Sequence, residues 1–197
     1  MYDKVFKNAF GIRVKRKYLS KVVRKEAHLR GYFELPHLSQ LPKRMTVIRP
    51  TYIDCIEQSN DRADDPYAKR ISVKYISKKV GYGVFAKEAI RSGVVGIYAG
   101  QLKKVNHYSK SRYLFSFTTK ILNNIMIDGE KKGNWAAFIN HNPSDSKSTN
   151  LIVREYFYKG LPYIVFWAPK KIKKGAQLLY DYGDSYWDSL EVNPKKF

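Results

Sequence analysis

Between Ile71 and Ile76 the sequence Ile-Ser-Val-Lys-Tyr-Ile alternates apolar with polar side chains, the period-two signature of a half-buried strand. A second strand follows almost at once in Val84-Phe85-Ala86. It is entered through Gly81-Tyr82-Gly83, where two glycines let the backbone turn sharply and come close to a ligand with no Cβ in the way, although two glycines in a hairpin would explain the same letters. Further short strands are predicted at Ile125-Met126-Ile127-Asp128, at Leu151-Ile152-Val153 and at Tyr163-Ile164-Val165-Phe166-Trp167-Ala168. Tyr113-Leu114-Phe115-Ser116-Phe117 alternates again and sets three aromatics on one face, of which Phe115 and Phe117 are assigned to the core. Phe138-Ile139 ends abruptly in Asn140-His141, which reads as a buried strand end presenting two hydrogen-bonding side chains. Many short strands and few helical stretches predict a mainly β fold with a few helices, in the α+β class.

Before residue 70 the pattern changes. From Ile12 to Leu29 the apolar residues Val14, Tyr18, Val22 and Leu19, Val23, Ala27 recur every four positions, which predicts an amphipathic helix with a basic outer face. Pro36, Pro42 and Pro50 then punctuate a segment with little periodicity, read as an irregular arm between Leu35 and Pro50. Asp54 to Asp65 is locally acidic; a solvated loop is the plain reading, and a receiver for a basic peptide the sharper one.

Composition narrows the classes of function. The 197 residues carry 37 Lys and Arg against 17 Asp and Glu, net +20, which favours association with nucleic acid, nucleoprotein or an anionic membrane face. Residues 1–49 hold 13 of the cations and three of the acids, so the basic excess is densest at the front. Arg13-Val14-Lys15-Arg16-Lys17 also fits a nuclear-import cluster. The lone Cys55 excludes an internal disulfide and any zinc site built from several thiolates, points to a reducing intracellular compartment, and is read as a small buried residue. His28, His37, His107 and His141 show no ligand spacing, so no metal site is expected. No apolar run is long enough to span a bilayer, and the amino terminus lacks a secretory core.

Three motifs remain, in order: Gly81-Tyr82-Gly83-Val84-Phe85-Ala86, Phe138-Ile139-Asn140-His141, and Leu178-Leu179-Tyr180-Asp181-Tyr182-Gly183. Together they resemble the SET-domain protein lysine methyltransferases, over about residues 70 to 187. Ile90 to Gly100 resembles the family's second strand pair closing on a Tyr-x-Gly-Glu element, with Gln101 in the Glu position. Asp128-Gly129 followed by Gly133-Asn134, and the basic turn from Lys170 to Gly175, also have family counterparts. There are departures. Ala137 stands where the family commonly has Arg, the stretch from Asn142 to Asn150 is longer and lacks the usual Cys, and no cysteine-rich zinc segment follows the last motif. Asn150 is taken as the terminal Asn of the Asn-His motif, and Trp187 with the tail to Phe197, or a partner, is left to close the site.

The resemblance implies a SET-type fold of short curved sheets around a carboxy-terminal pseudoknot. It divides the chain into a basic extension (1–69), a SET domain (70–187) and a short tail (188–197). It implies S-adenosylmethionine as cofactor, held by Gly81, Tyr82, Gly83, Tyr113, Asn140, His141 and Trp187, and a lysine channel walled by Tyr113, Tyr180 and Tyr182, with Tyr182 at the reacting centre. The implied activity is methylation of a lysine ε-amine in a histone or another basic protein. Tyr180 occupies the family's Phe-or-Tyr position, and its hydroxyl limits the product mainly to monomethyl-lysine. Contact with a nucleosome, ribosome or nucleic acid through the amino-terminal segment, and action in a nucleus, complete the expectation. A basic protein that keeps the fold but is catalytically weak and binds nucleic acid or nucleoprotein is the competing reading, favoured by Ala137 and the altered loop and opposed by the retained Tyr113, Asn140, His141 and Tyr182.

Overall fold

The computed structural model describes residues 67–104, 111–123, 125–158 and 161–189, together with four short strands nearer the amino terminus. These four are β1 (Val5–Lys7), β2 (Arg13–Lys15), β3 (Lys17–Tyr18) and β4 (Val23–Arg24). The main body begins with β5 (Ile71–Ser77), β6 (Gly81–Ala86), β7 (Gly93–Ile97), β8 (Gln101–Lys104), β9 (Leu114–Ser116) and β10 (Ile125–Asp128). It continues through β11 (Lys132–Gly133), β12 (Asn140–His141), β13 (Ile152–Tyr158), β14 (Leu161–Ala168) and β15 (Leu179–Tyr180), and ends in one short helix, α1 (Asp184–Ser189). Short 3-10 helices lie at Ala68–Arg70, Lys120–Leu122 and Trp135–Phe138. The architecture is mainly β, as the alternation predicts.

Two expectations are corrected. The helix predicted from Ile12 to Leu29 is absent from the described residues there, which form β2, β3 and β4. A four-residue spacing is two strand periods as well as about one helical turn, so Val14, Tyr18 and Val22 suit either, and the β-branched Val14, Val22 and Val23 favour the extended form. β3 pairs in parallel with β11, and β4 pairs in parallel with β8, so amino-terminal residues extend the sheets of the main body. Phe138-Ile139, read as strand, is the end of the 3-10 helix Trp135–Phe138 and its cap; only Asn140–His141 is extended. Asn134 imposes this turn: its buried side chain accepts from the Ala136 N–H at 3.2 Å and from the Ala99 N–H at 3.3 Å and donates to the Ile97 carbonyl at 2.9 Å. The arm from Leu35 to Pro50, the acidic stretch from Asp54 to Asp65 and Cys55 lie outside the described residues, as does the tail beyond 189.

The core sits on β14, where Tyr163, Ile164, Val165 and Phe166 are fully buried. A strand paired on both edges and covered on both faces reads as a continuous apolar run, and β14 has β13 on one side and β7 on the other, both antiparallel. The pairing of β14 with β7 slips between Phe166 and Trp167, which removes Val95 from the ladder. Beside this irregularity Gly96 meets the Trp135 ring so closely that a Cβ there would stand 2.4 Å from Cζ2. A second sheet runs in the order β4, β8, β10, β9, and β5 with β6 forms a separate hairpin.

The carboxy-terminal motif is threaded. β15 pairs in parallel with β12, setting Asn140 opposite Leu179 and His141 opposite Tyr180. Beyond β12 the chain loops round the same strand: the Asn142 N–H donates to the Tyr180 carbonyl at 3.0 Å, and the Leu151 N–H donates to the Leu179 carbonyl at 3.0 Å. Residues 179–181 are thus held within the span from Asn140 to Leu151, one of the rare exceptions to unthreaded connections. Gly96→Ala should overpack the Trp135 contact and cost about 1–3 kcal/mol, read as a lower midpoint in urea unfolding followed by tryptophan fluorescence. An unchanged midpoint would show that the ring has room to yield.

Candidate active site

Asn150 closes the thread with its side chain. Its Nδ2 donates to the Gln177 carbonyl at 2.7 Å, and its Oδ1 accepts from the Leu179 N–H at 3.1 Å, so the amide replaces a missing strand partner for the incoming segment. The position inferred for the end of the Asn-His motif therefore bonds the tyrosine motif directly. The longer loop before it is tied by Thr149, which accepts from Asn142 Nδ2 at 2.9 Å and donates to the Pro143 carbonyl at 2.5 Å.

From β12, Asn140 Nδ2 donates to the Tyr82 carbonyl at 3.1 Å, which brings the first motif to the second. Gly83 makes this approach possible, since a Cβ there would lie 3.0 Å from Asn140 Nδ2 and 2.8 Å from Gln177 Nε2. Gly81 serves differently: with φ of 79° it supplies the left-handed turn into β6. The space a side chain would take at Gly83 is filled by Ile76 and by the side-chain amides of Asn140 and Gln177.

His141 and Tyr182 interlock. The Tyr182 N–H donates to His141 Nδ1 at 3.2 Å, which requires a lone pair on that nitrogen and places the proton of the neutral ring on Nε2. Burial lowers the His141 pKa and outweighs the opposing pull of Asp181, whose Oδ1 lies 3.5 Å from Nδ1. Burial alone would raise Asp181, but backbone N–H bonds from Gly183 and Ser144, both at 2.9 Å, with help from the Ser144 hydroxyl and His141, hold its carboxyl below the ordinary value. One charged side chain thus ties the turn after Tyr182 to the loop after His141.

Tyr182 is fixed at its far end as well, where its hydroxyl donates to the Ile139 carbonyl at 2.7 Å. Trp187 stacks on the Tyr182 ring at 5.9 Å between centroids, and Tyr186 meets it edge-on at 4.7 Å. Trp187 also packs against His141 at 4.8 Å, so α1 covers both motifs with one indole. Tyr180 lies 4.8 Å from Tyr182, stacks on Phe115 at 5.8 Å and meets Phe166 at 5.0 Å. Burial raises both phenols well above their ordinary pKa of 10, and neighbouring phenols add to the rise: Tyr98 and Tyr186 for both, and Tyr113 for Tyr182. No hydrogen bond joins the Tyr180 hydroxyl to another described residue.

The backbone of Tyr113 is held from three directions. Its N–H donates to Ser111 Oγ at 3.3 Å, and its carbonyl accepts from Tyr98 Oη at 2.7 Å and from the Gly129 N–H at 2.9 Å. Ser111 in turn donates to the buried Asp128 carboxylate at 3.1 Å, which is ion-paired with Lys103. The Asp128-Gly129 pair thereby fixes the Tyr113 backbone.

Tyr82, Tyr113, Asn140, His141, Tyr180, Tyr182 and Trp187 therefore converge, while Gly81 and Gly83 act through the backbone. Sequence reasoning missed Tyr98, Asp181 and Tyr186 and left Phe115 wholly in the core, where it is only half-buried and backs Tyr180. Adjacency to named motif residues was the available signal for Asp181 and Tyr186. For Tyr98 it was the apolar strand that ends at Gly100.

A family model for the SET domain matches residues 81–183. The putative histone-lysine N-methyltransferase ASHH4 of Arabidopsis thaliana is 34% identical over 117 residues, which cover 54% of this chain and 31% of that protein. Human histone-lysine N-methyltransferase EHMT1 is 29% identical over 118 residues, 58% of this chain and 9% of that protein. The chain thus spans less than a third of the length of either relative. Among solved structures, ATXR5 in complex with a mono-methylated histone H3.1 has a TM-score of 0.62 at 19% identity, covering 86% of this chain and 81% of that one. The ATXR5 SET domain with a di-methylated histone H3 has a TM-score of 0.57 at 22% identity, covering 71% and 70%. Those two likenesses concern the fold. With the family match spanning more than half of the sequence, and with the three motifs joined by the thread, the chain belongs to the SET domain family.

Proposed function

We propose that this chain is a protein-lysine N-methyltransferase that transfers a methyl group from S-adenosylmethionine to the ε-amine of a lysine in a basic protein such as a histone, and that it stops mainly after one transfer. The observation that carries this reading is the convergence of Asn140 and His141 on β12 with Tyr180 on β15 and Tyr182 just beyond it, against Trp187. Its relatives carry the name histone-lysine N-methyltransferase, which supports the choice of substrate class. Exposed Asp145 on the loop after His141, and exposed Asp184 and Asp188 on α1, set negative charge on the elements that bound Tyr182 and complement a basic peptide.

The donor set fits the cofactor. A half-buried Asn and His at a strand end offer amide and main-chain hydrogen bonds, Trp187 and Tyr82 offer ring faces, and a group of un-ionised phenols suits a cation through electron-rich rings and oxygens. When bound, S-adenosylmethionine supplies an electrophilic methyl group on a cationic sulfonium. The protein's part is to position, desolvate and orient. Phe115, Phe166, Tyr180 and Trp187 exclude water, and desolvation favours the neutral amine that has a lone pair to attack with. Tyr182 Oη, with its proton committed to the Ile139 carbonyl, keeps lone pairs for polarised C–H groups near the reacting centre. The Tyr180 hydroxyl is the group left to receive the amine, and it fills the space into which a methylated amine must turn.

Radiolabelled S-adenosylmethionine incubated with the protein and fractionated histones and ribosomal proteins tests the activity and sorts the substrates; label on lysine of a basic protein is expected, and no label on any fraction contradicts the reading. Tyr182→Phe should lower kcat on the order of 10²-fold or more while the chain still folds, since the lost bond to Ile139 is worth about 1 kcal/mol. Near-normal turnover would remove Tyr182 from the chemistry. Tyr180→Phe should keep the packing on Phe115 and Phe166, and with it the stability, while the product moves toward di- and trimethyl-lysine by mass spectrometry; abundant trimethyl-lysine from the unaltered enzyme would refute the size limit.

Acid should weaken the site through His141. Its folded pKa is lowered from 6.5, so the unfolded chain binds the proton more readily; its stabilising contribution is complete above about pH 6.5 and is lost as pH falls from there toward the folded value. Asp181, held below 3.8, stays charged across that window. Urea midpoints measured between pH 8 and 5.5 should therefore fall on the acid side, and His141→Asn, whose Oδ1 can still accept from Tyr182, should flatten that limb. Parallel curves for the two proteins would mean that another group titrates.

A further inference from the structure

Away from the tyrosines, three segments lie side by side and carry a concentrated positive charge. The basic turn contributes exposed Lys170, Lys171, Lys173 and Lys174. The connection from β6 to β7 contributes exposed Lys87 and Arg91, and the 3-10 helix at Ala68–Arg70 contributes exposed Lys69 and Arg70. The backbone locks them together. Ile90 and Ile172 exchange N–H to carbonyl bonds at 2.8 and 3.0 Å, the Gly175 N–H donates to the Ala86 carbonyl at 2.8 Å, and the Lys87 N–H donates to the Arg70 carbonyl at 2.7 Å. Ser92 Oγ lies 3.1 Å from both the Ala168 and the Pro169 carbonyl. Gly175, with φ of 82°, turns the chain so that the lysines project from a fixed frame.

Glu88 is the one carboxylate on these segments, and it is paired with Arg70 at 2.9 Å. Among the described residues none of the other cations is in an ion pair. Like charges held this close without acids to neutralise them repel one another, and a polyanion relieves that repulsion while releasing its own counterions. The kind of polyanion follows from what the patch lacks. The exposed large apolar residues Tyr75, Ile76, Val80 and Ile152 lie on other segments, so nothing here inserts into a membrane interface. No exposed aromatic accompanies the cations to stack on unpaired bases, since Tyr67 is half-buried beneath Arg70. A rigid surface on which eight cations face one carboxylate matches the regular phosphate array of a duplex.

We infer that the face formed by residues 69–70, 87–91 and 170–174 is a sequence-independent docking surface for duplex DNA, built from other residues than the amino-terminal basic segment and the tyrosine site. Its operation does not depend on methyl transfer.

The test uses the full chain and a 30-bp DNA duplex of arbitrary sequence, with affinity read by fluorescence anisotropy over a range of NaCl. One variant changes Lys170, Lys171, Lys173 and Lys174 to Gln. A second of equal net charge changes Lys78, Lys79, Lys131 and Lys147, which lie outside the three segments. Each phosphate contact contributes about 0.9 to the slope of log affinity against log salt, so the first variant, losing four, should bind more weakly with a slope shallower by up to about 3.6. The second should keep a slope close to that of the unaltered protein. Equal effects from both variants, or none from the first, would overturn the assignment. So would a first variant that keeps its DNA affinity but loses binding to vesicles of phosphatidylcholine and phosphatidylserine, which would make the face a membrane surface. Thermal unfolding should be unchanged in both, since every altered lysine is exposed.

Discussion

Residues 179–182 are held by the chain between Ile139 and Leu151, and Tyr180 and Tyr182 take their places from that grip. The parallel pairing of β15 with β12, the Asn150 amide on Gln177 and Leu179, and the bonds from Tyr182 to His141 and Ile139 are successive links in one connection. The thread joins segments about forty residues apart in sequence, so their contact is secured only when the whole loop has closed. A two-residue strand is too short to persist alone. It persists here because side chains on both partners complete the hydrogen bonding that the ladder leaves undone.

Charge is arranged with equal economy. Around Tyr180 and Tyr182 burial keeps phenols un-ionised and the imidazole neutral, and the fixed charge among these neighbours is Asp181, spent on backbone N–H groups. A neutral, water-excluding wall is what a lysine amine needs if it is to shed its proton. Exposed carboxylates stand on the loop after His141 and on α1, on other elements than the basic turn from Lys170 to Lys174.

Much of this was legible before any coordinates. Strands such as Ile125–Asp128 declare themselves by their letters, and the Asn-His and tyrosine motifs mark the site because polar groups there interrupt apolar runs. What was illegible depended on register and on shared periods. The spacing of Val14, Tyr18 and Val22 satisfies two periodicities at once, and only pairing with the main body, as in β4 against β8, decides between them. The Trp135–Phe138 turn was hidden inside a short apolar run, although Asn134 in front of it is a capping residue that gave a usable signal. Tyr98 and Asp181 matter through partners distant in sequence or across the thread, so a position beside a motif or at the end of an apolar strand marks them as neighbours of the site without giving their roles.

The central claim is that the threaded motif and the Asn140 strand end together form the cofactor site. Residue-by-residue nuclear magnetic resonance during titration with S-adenosylmethionine tests it most directly. The account predicts saturable shifts concentrated at the amides of Tyr82, Asn140 and His141 and at the Trp187 indole, with little change along β13. Absence of binding, or shifts that leave those four positions unmoved, would contradict it.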